Sequence, residues 1–187
     1  MDADDYMTYE EFGRKFFEVA VTEDRVGGAI GAIAGDSFEM GPIGQGPGKI
    51  AKVTARVRIQ EPRVTRKMAE AITFDIRIPL EIDMVVDLRI DKPKFMVFGE
   101  IALRATARAA DPLLLILDVE KPRSSDIAIH VTSKSLRGEL VRIIGGIDAE
   151  IKRFIAAHVS GEIDSPESQK AKIIDVADRL DAAWTGI

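Results

Sequence analysis

Cysteine is absent from this chain of 187 residues, and only two histidines occur. Without cysteine the chain can form no disulfide, carry no thiol nucleophile and build no thiolate metal site. His130 and His158 lack the close spacing of a histidine metal site, and neither has a visible catalytic partner nearby in the sequence. We therefore expect no cofactor, no metal site and no catalytic residue, and we interpret His158 as an interfacial residue.

Positive charge is scarce relative to negative charge. Lys and Arg total 26 against 31 for Asp and Glu, which gives a net charge of −5 and an isoelectric point near 5.2. Sequence-independent binding to nucleic acid depends on neutralising phosphates with Lys and Arg, so an acidic chain disfavours a nucleic-acid partner. The same charge disfavours electrostatic docking on anionic lipid.

Long hydrophobic runs are also missing. The longest aliphatic run, residues 113–117, is far shorter than the roughly 20 residues that a membrane-spanning helix needs. The acidic start of the chain, residues 1–5, is unlike a signal peptide, which needs a basic segment followed by an apolar one. Together with the lack of cysteine, these features predict a cytoplasmic protein without a transmembrane segment.

One stretch of regular alternation dominates the rest of the chain, residues 72–90. Every even-numbered residue in it is apolar, and almost every odd-numbered residue is polar or charged. This period of two predicts a β-strand with one buried face and one solvent-facing face. A straight strand of this length would span roughly 63 Å, but a domain of this size has a diameter of only about 40 Å. We therefore expect strong curvature or a break at Pro79.

Other stretches alternate in the same way: residues 49–62, 95–109, 113–120 and 126–133. Turns that contain Pro separate the later ones without an intervening helix, which predicts an antiparallel meander. Residues 41–48 are rich in Gly and Pro and are predicted to form a loop. We interpret that loop as a turn and not as a phosphate cradle, because a strand follows it where phosphate motifs need a helix.

Helical patterns precede the strands. Thr8 and Glu11 have the spacing of a capping box before a helix over residues 9–21. Thr22 can cap a second helix, with Glu23 in its first turn.

Helical patterns also follow the strands. Apolar residues recur at steps of three and four over residues 136–163, which predicts a helix roughly 42 Å long. Ser165 and Pro166 then predict a cap and the first position of one last helix, with apolar residues on one side as far as Trp184.

These patterns together predict an α+β fold. We expect a long, strongly curved antiparallel β-meander wrapped on a long C-terminal helix, with short N-terminal helices and a final C-terminal helix. The composition, 46% apolar and 30% charged, suits one globular domain. Its expected parts are a helical segment at residues 1–40, the sheet and long helix at 41–164, and a C-terminal helix at 165–187.

The apolar faces of the sheet and the long helix would enclose a core. Such a core is either packed with side chains or holds an elongated apolar cavity. The side chains expected to line that cavity are Ile76, Ile78, Ile82, Met84, Ile144, Ile147, Ile151 and Phe154.

The opposite face of residues 72–90 carries charges of both signs. Its carboxylates are Asp75, Glu81, Asp83, Asp87 and Asp91. Arg77 and Arg89 share that face, and further arginines fall on neighbouring strands. We therefore expect cross-strand ion pairs there and not an acid–base pair or a cation site.

A long helix laid along a strongly curved antiparallel sheet resembles the TULIP superfamily of tubular lipid-binding domains. The segments that carry the resemblance are residues 72–90, 95–109 and 136–163, within a region of about 40–165. The strand meander, with residues 159–164 and 174–181 after it, is also similar to uncharacterised actinobacterial proteins. The resemblance is architectural. It implies binding of a lipid or another long apolar molecule between sheet and helix.

Three functions follow as hypotheses. The first is non-enzymatic binding or carriage of a hydrophobic, lipid-like ligand between the sheet and the long helix. The second is a protein–protein interaction module with a filled core, which holds a protein partner through its acidic C-terminal helix or its first helices. The third is a cyclase or hydrolase of the START-like helix-grip fold, which also wraps a sheet around a long helix. A homo-oligomer is left open.

Overall fold

A computed structural model describes residues 6–34, 37–45, 51–131 and 138–185. The fold is α+β, with a curled antiparallel sheet and helices before and after it. The strands are β1 (Ser37–Gln45), β2 (Ala51–Ile59), β3 (Arg63–Met68), β4 (Ile72–Asp87), β5 (Lys94–Ala110), β6 (Leu114–Val119), β7 (Ile127–Val131) and β8 (Ile173–Asp175). The helices are α1 (Tyr9–Ala20), α2 (Glu23–Ala34), α3 (Gly138–Asp164), α4 (Pro166–Ala171) and α5 (Val176–Trp184), with a short 3-10 helix at Ser124–Asp126.

The two long strands, β4 and β5, are the centre of the sheet. They pair in antiparallel register from Thr73 opposite Thr106 to Val85 opposite Lys94. Each also pairs with two short strands placed end to end, so that β3 and β2 border β4 while β6 and β7 border β5. β1 extends the sheet beyond β2, and β8 extends it beyond β6.

The alternation at residues 72–90 is confirmed as one strand over Ile72–Asp87 in a curled sheet, and of the two alternatives expected at Pro79, curvature or a break, the break is not found. β4 is continuous through Pro79, whose carbonyl oxygen accepts a hydrogen bond from the backbone N–H of Gln60 at 2.9 Å. Pro79 therefore faces the connection between the end of β2 at Ile59 and the start of β3 at Arg63. On its other side Pro79 lies opposite Glu100 of β5. A proline is tolerated because its missing N–H falls on the side of the connection, where no strand residue needs that hydrogen bond.

Three strands lie where the sequence indicated something else. Residues 41–45 were expected in a loop but belong to β1, and the rest of that predicted loop, with residues 49–50 of the predicted strand, lies outside the described residues. Gly41 makes β1 feasible, since its φ of +102° fits the register shift beside Met40. β3 was not foreseen, and β8 interrupts the expected last helix because Ile173 and Ile174 pair with β6.

The predicted helix starts are confirmed at both ends of the chain. The backbone N–H of Thr8 donates to the Glu11 carboxylate at 2.9 Å, and the N–H of Glu11 donates to the Thr8 hydroxyl at 3.2 Å. Ser165 caps α4 by accepting from the N–H of Ser168, with Pro166 following it. The predicted start of the long helix at residues 136–137 lies outside the described residues.

Two arginines hold the C-terminal end of α1, a feature that the sequence did not indicate. Arg25 donates to the carbonyl oxygens of Val19 and Ala20, at 3.3 and 2.8 Å. Arg66, on β3, donates to the carbonyl oxygens of Glu18 and Val21. The last carbonyls of a helix have no partner within it, so these bonds fix the end of α1 to the body of the protein.

We predict that Gly41→Ala destabilises the fold, because alanine at this φ is strained and its Cβ would lie 2.5 Å from the carbonyl oxygen of Val53. The expected loss in the free energy of unfolding is about 1–3 kcal/mol, measured by urea denaturation. Gly145→Ala is the control, since a Cβ there meets open space. It should be neutral or stabilising by up to about 1 kcal/mol. Equal effects of the two changes would contradict this account of β1.

Candidate functional site

The candidate site is the core between the sheet and α3. Its predicted lining on β4 consists of even-numbered residues of the buried face: Ile76, Ile78, Ile82 and Met84. On α3, Ile147 and Ile151 lie in the same hydrophobic cluster as those β4 residues. The helix therefore contributes to one core with the strand, as the periodicities of the two segments predicted. Ile144 lies within α3, but its side chain is outside the described residues.

This core is closed in the structure. The six lining candidates named on β4 and α3 each expose at most 1% of their surface. A side chain that bordered a cavity wide enough for water would expose surface to that cavity, so other atoms surround these six on all sides. An apolar ligand could occupy this space only by displacing side chains or by moving α3 away from the sheet.

Phe154 differs from the other candidates, because 39% of its surface is exposed. Its ring stacks on Phe38 of β1, with the ring centroids 6.1 Å apart. The ring of His158, one turn further along α3, lies 3.9 Å from the Phe38 ring, centroid to centroid. We call Phe38, Phe154 and His158 the aromatic seam, since they join α3 to the edge strand of the sheet. The interpretation of His158 as an interfacial residue is confirmed.

Phe38 was missed by the sequence analysis, which placed it in the N-terminal helical segment. Its one available signal was alternation with Met40, which is buried at 3% exposure on the same strand. The glycines and the proline that follow Met40 concealed that signal.

Open clefts border other parts of the molecule. One, of about 640 Å³, lies between α2 and the connection from β2 to β3, next to Glu23, Gly27 and Pro62. A second, of about 720 Å³, lies across β1, β2, β4 and β5. The second cleft lies on the solvent-facing side of the sheet, next to Glu39, Arg56 and Asp83.

The solvent-facing side of the sheet carries the expected cross-strand ion pairs. Arg58 on β2 contacts both Glu81, at 2.9 Å, and Asp83 on β4. The carboxylates, Glu81 first, raise the pKa of Arg58. Asp75 pairs with Lys67 on β3 and lies 3.8 Å from Arg104 on β5.

Other charged groups on this face have local partners. Asp87 accepts from Lys92 at 2.9 Å, and that bond is the main cause of its lowered pKa. The carboxylate of Asp91 accepts from the backbone N–H of Lys92. His130 is exposed on β7, opposite Phe98.

Within the part of the chain that the structure describes, no three carboxylate or histidine side chains group so that they could hold a metal ion. Among the same residues, no helix combines the length and the apolar character needed to cross a bilayer.

The chain was also compared with known proteins. No protein-family model matches it, and no curated protein matches it significantly.

We predict that Asp75 makes the protein less stable as the pH decreases into the acidic range. The hydrogen bond from Lys67 is the main cause that lowers the pKa of Asp75 below its usual 3.8. A carboxyl with a lowered folded-state pKa stabilises the fold above its unfolded pKa, and this stabilisation disappears as pH falls through the folded pKa. Asp75 is partly exposed, so the expected loss is small, about 0.5 kcal/mol or less.

Urea midpoints measured between pH 6 and about pH 2.5 would test this expectation. Asp75→Asn should reduce the dependence on pH. Lys67→Met should reduce it by a similar amount, and the double variant by no more than either single one. An undiminished dependence in Lys67→Met would show that this pair is not its source.

Proposed function

We propose that this protein is a non-enzymatic binder or carrier of a hydrophobic, lipid-like ligand held between the curled sheet and α3. The observation that carries the proposal is the single apolar core to which both elements contribute. Among the described residues, every buried side-chain nitrogen or oxygen has a hydrogen-bond partner. A hydrocarbon chain entering this core would therefore leave no described polar side chain unsatisfied.

In this proposal the ligand enters at the aromatic seam. The seam supports this route because Phe154 is the most exposed of the predicted lining residues whose side chains are described. The core is closed, so entry requires α3 to move away from β1. Ligand contacts would then replace the side-chain contacts that are lost, which keeps the net cost of opening low.

The C-terminal end of α3 is the natural pivot for such a movement. The Lys172 ammonium donates to the carbonyl oxygen of Ile163 at 2.9 Å, and the Gln169 amide donates to the same oxygen at 3.2 Å. Lys121 also pairs with Asp164 at 2.6 Å. These bonds hold the end of α3 next to α4, and the seam residues Phe154 and His158 lie about one and a half to two and a half turns before it.

Two sequence-based expectations belong to the same proposal. One is that the sheet wraps around α3 in the manner of a TULIP domain. The other is that the protein acts in the cytoplasm, where a carrier would move an apolar molecule through water.

A quenching experiment would test the proposal. Trp184, the single tryptophan, lies on α5 and is 79% exposed. The double variant Phe154→Trp with Trp184→Phe moves the fluorophore to the seam. Brominated fatty acid should quench the tryptophan at position 154 in a saturable way, because the bromine would lie in contact with the ring.

The wild-type protein is the matched control, since its tryptophan lies outside the proposed site. Equal quenching of both proteins would indicate binding to the surface and would contradict the route through the seam. A clean apo mass in native mass spectrometry, combined with no quenching at position 154, would contradict the carrier function.

The second candidate is an interaction module with a filled core, favoured by the closed core and by α5. Every residue of α5 is described and none is buried. Leu180 and Trp184 are 50% and 79% exposed, and the side chains of Ile173 and Ile174 just before α5 are also exposed. Exposed apolar residues grouped in this way are typical of a surface that binds a protein.

We predict that Leu180→Ser with Trp184→Ser leaves the unfolding midpoint nearly unchanged, because both side chains are exposed. The same variant should lose any partner that chemical crosslinking attaches to α5. Leu103→Ala, a change in the core, is the contrasting control and should lower the midpoint. A large loss of stability in the α5 variant would mean that α5 serves folding and not recognition.

A further inference from the structure

The charges of α1 are ordered so that the helix is complementary to a second copy of itself that runs in the opposite direction. The segment reads Tyr9, Glu10, Glu11, Phe12, Gly13, Arg14, Lys15, Phe16. If a second copy of this segment is laid against it in the opposite direction, centred between Phe12 and Gly13, Tyr9 lies opposite Phe16. The acidic pair then lies opposite the basic pair.

The positions around the helix agree with this pairing. At 100° per residue, Tyr9, Phe12, Gly13 and Phe16 lie on one side of α1. Glu10 and Arg14 lie on one flank, about 100° and 140° around from Tyr9, while Lys15 and Glu11 lie on the other flank, about 120° and 160° around from it. In an antiparallel pair of helices, each flank of one helix faces the same flank of the other. Glu10 of one copy would therefore approach Arg14 of the other, and Glu11 would approach Lys15.

The N-terminal half of this side of α1 is exposed. Every residue of α1 is described and none is buried. Tyr9 is 98% exposed and Phe12 is 58% exposed, whereas Phe16 is partly buried against the core. Lys15 has an ion pair with Glu18 at 3.8 Å, but its side chain remains 67% exposed. The N-terminal half of α1 therefore presents aromatic rings to solvent.

Gly13 is a second observation that points to the same partner. A Cβ at Gly13 would meet nothing within 4 Å, so contacts within the described chain do not require glycine there. Glycine also weakens a helix interior relative to alanine. In the antiparallel pair Gly13 lies beside Phe12 of the other copy, and the absence of a side chain lets the two helices approach closely.

We propose that α1 is a homodimer interface, on which a second copy of this chain docks antiparallel about a twofold axis. The exposed parts of Tyr9 and Phe12 offer roughly 300 Å² per copy. A standard interface buries about 800 Å² per partner, so the dimer is weak and depends on concentration. The dimer forms whether or not an apolar ligand enters the core.

Sedimentation velocity over a range of concentrations would test the charge pairing. Glu10→Lys alone and Arg14→Glu alone should each weaken dimerisation by roughly tenfold, because each places like charges together twice across the twofold axis. Glu11 is left unchanged in both variants, so the capping box is kept. The double variant Glu10→Lys with Arg14→Glu should restore the dimer.

An equimolar mixture of the two single variants should also restore association, since each then meets its complement. This rescue is the result that a general loss of helix stability would not produce. A monomer at all concentrations would overturn the proposal. A dimer that responds to none of these changes, nor to Phe12→Ser, would place the interface elsewhere and would also overturn it.

Gly13→Ala separates helix stability from docking. It should raise the helix content measured by circular dichroism and yet weaken the dimer, because the added methyl group keeps Phe12 of the other copy away. Gly161→Ala on α3 is the matched control, since a Cβ there also meets open space. It should leave the dimer unchanged. A stronger dimer in Gly13→Ala would contradict the close approach.

Discussion

The antiparallel pairing of β4 with β5 is the constraint on which the rest of the structure depends. The ladder runs from Thr73 to Val85, and the even-numbered residues of β4 along it are buried. A shift of the pairing by one residue would move all of these apolar side chains to the solvent-facing side, so the register is strongly determined. The short strands attach along the outer sides of the pair, and the buried face of β4 shares its core with α3.

Much of this fold could be predicted because it depends on local patterns. Alternation identified β4 and β5, and the caps at Thr8 and Ser165 identified helix starts. The sequence left open whether β4 curves or breaks at Pro79, since the cost of a missing donor depends on what lies beside it. β1 was hidden for a related reason. Gly41 is unfavourable in a regular strand but required at a bulge, and only the pairing with β2 reveals which applies.

The candidate site was predictable in part. Ile76, Ile82 and Ile151 are buried as their periodicity indicated, because a side of an element that is uniformly apolar faces the core. The exposure of Phe154 and its contact with Phe38 were not predictable. They arise where α3 meets an edge strand that the sequence did not reveal, and an aromatic residue at the border of an apolar stripe can be either covered or exposed.

The closed core gives the exposed apolar residues their significance. Tyr9, Phe12 and Trp184 lie outside the closed core, and their exposure brings no gain from burial. α1 is moreover held at its C-terminal end by Arg25 and Arg66, so its rings are presented on a helix that is already ordered. Docking onto such a helix does not incur the entropy cost of forming it. The same reasoning limits the core, where a ligand must first displace side chains that already pack well. Binding there therefore depends on how easily α3 leaves β1, and the surface of α1 carries no such requirement.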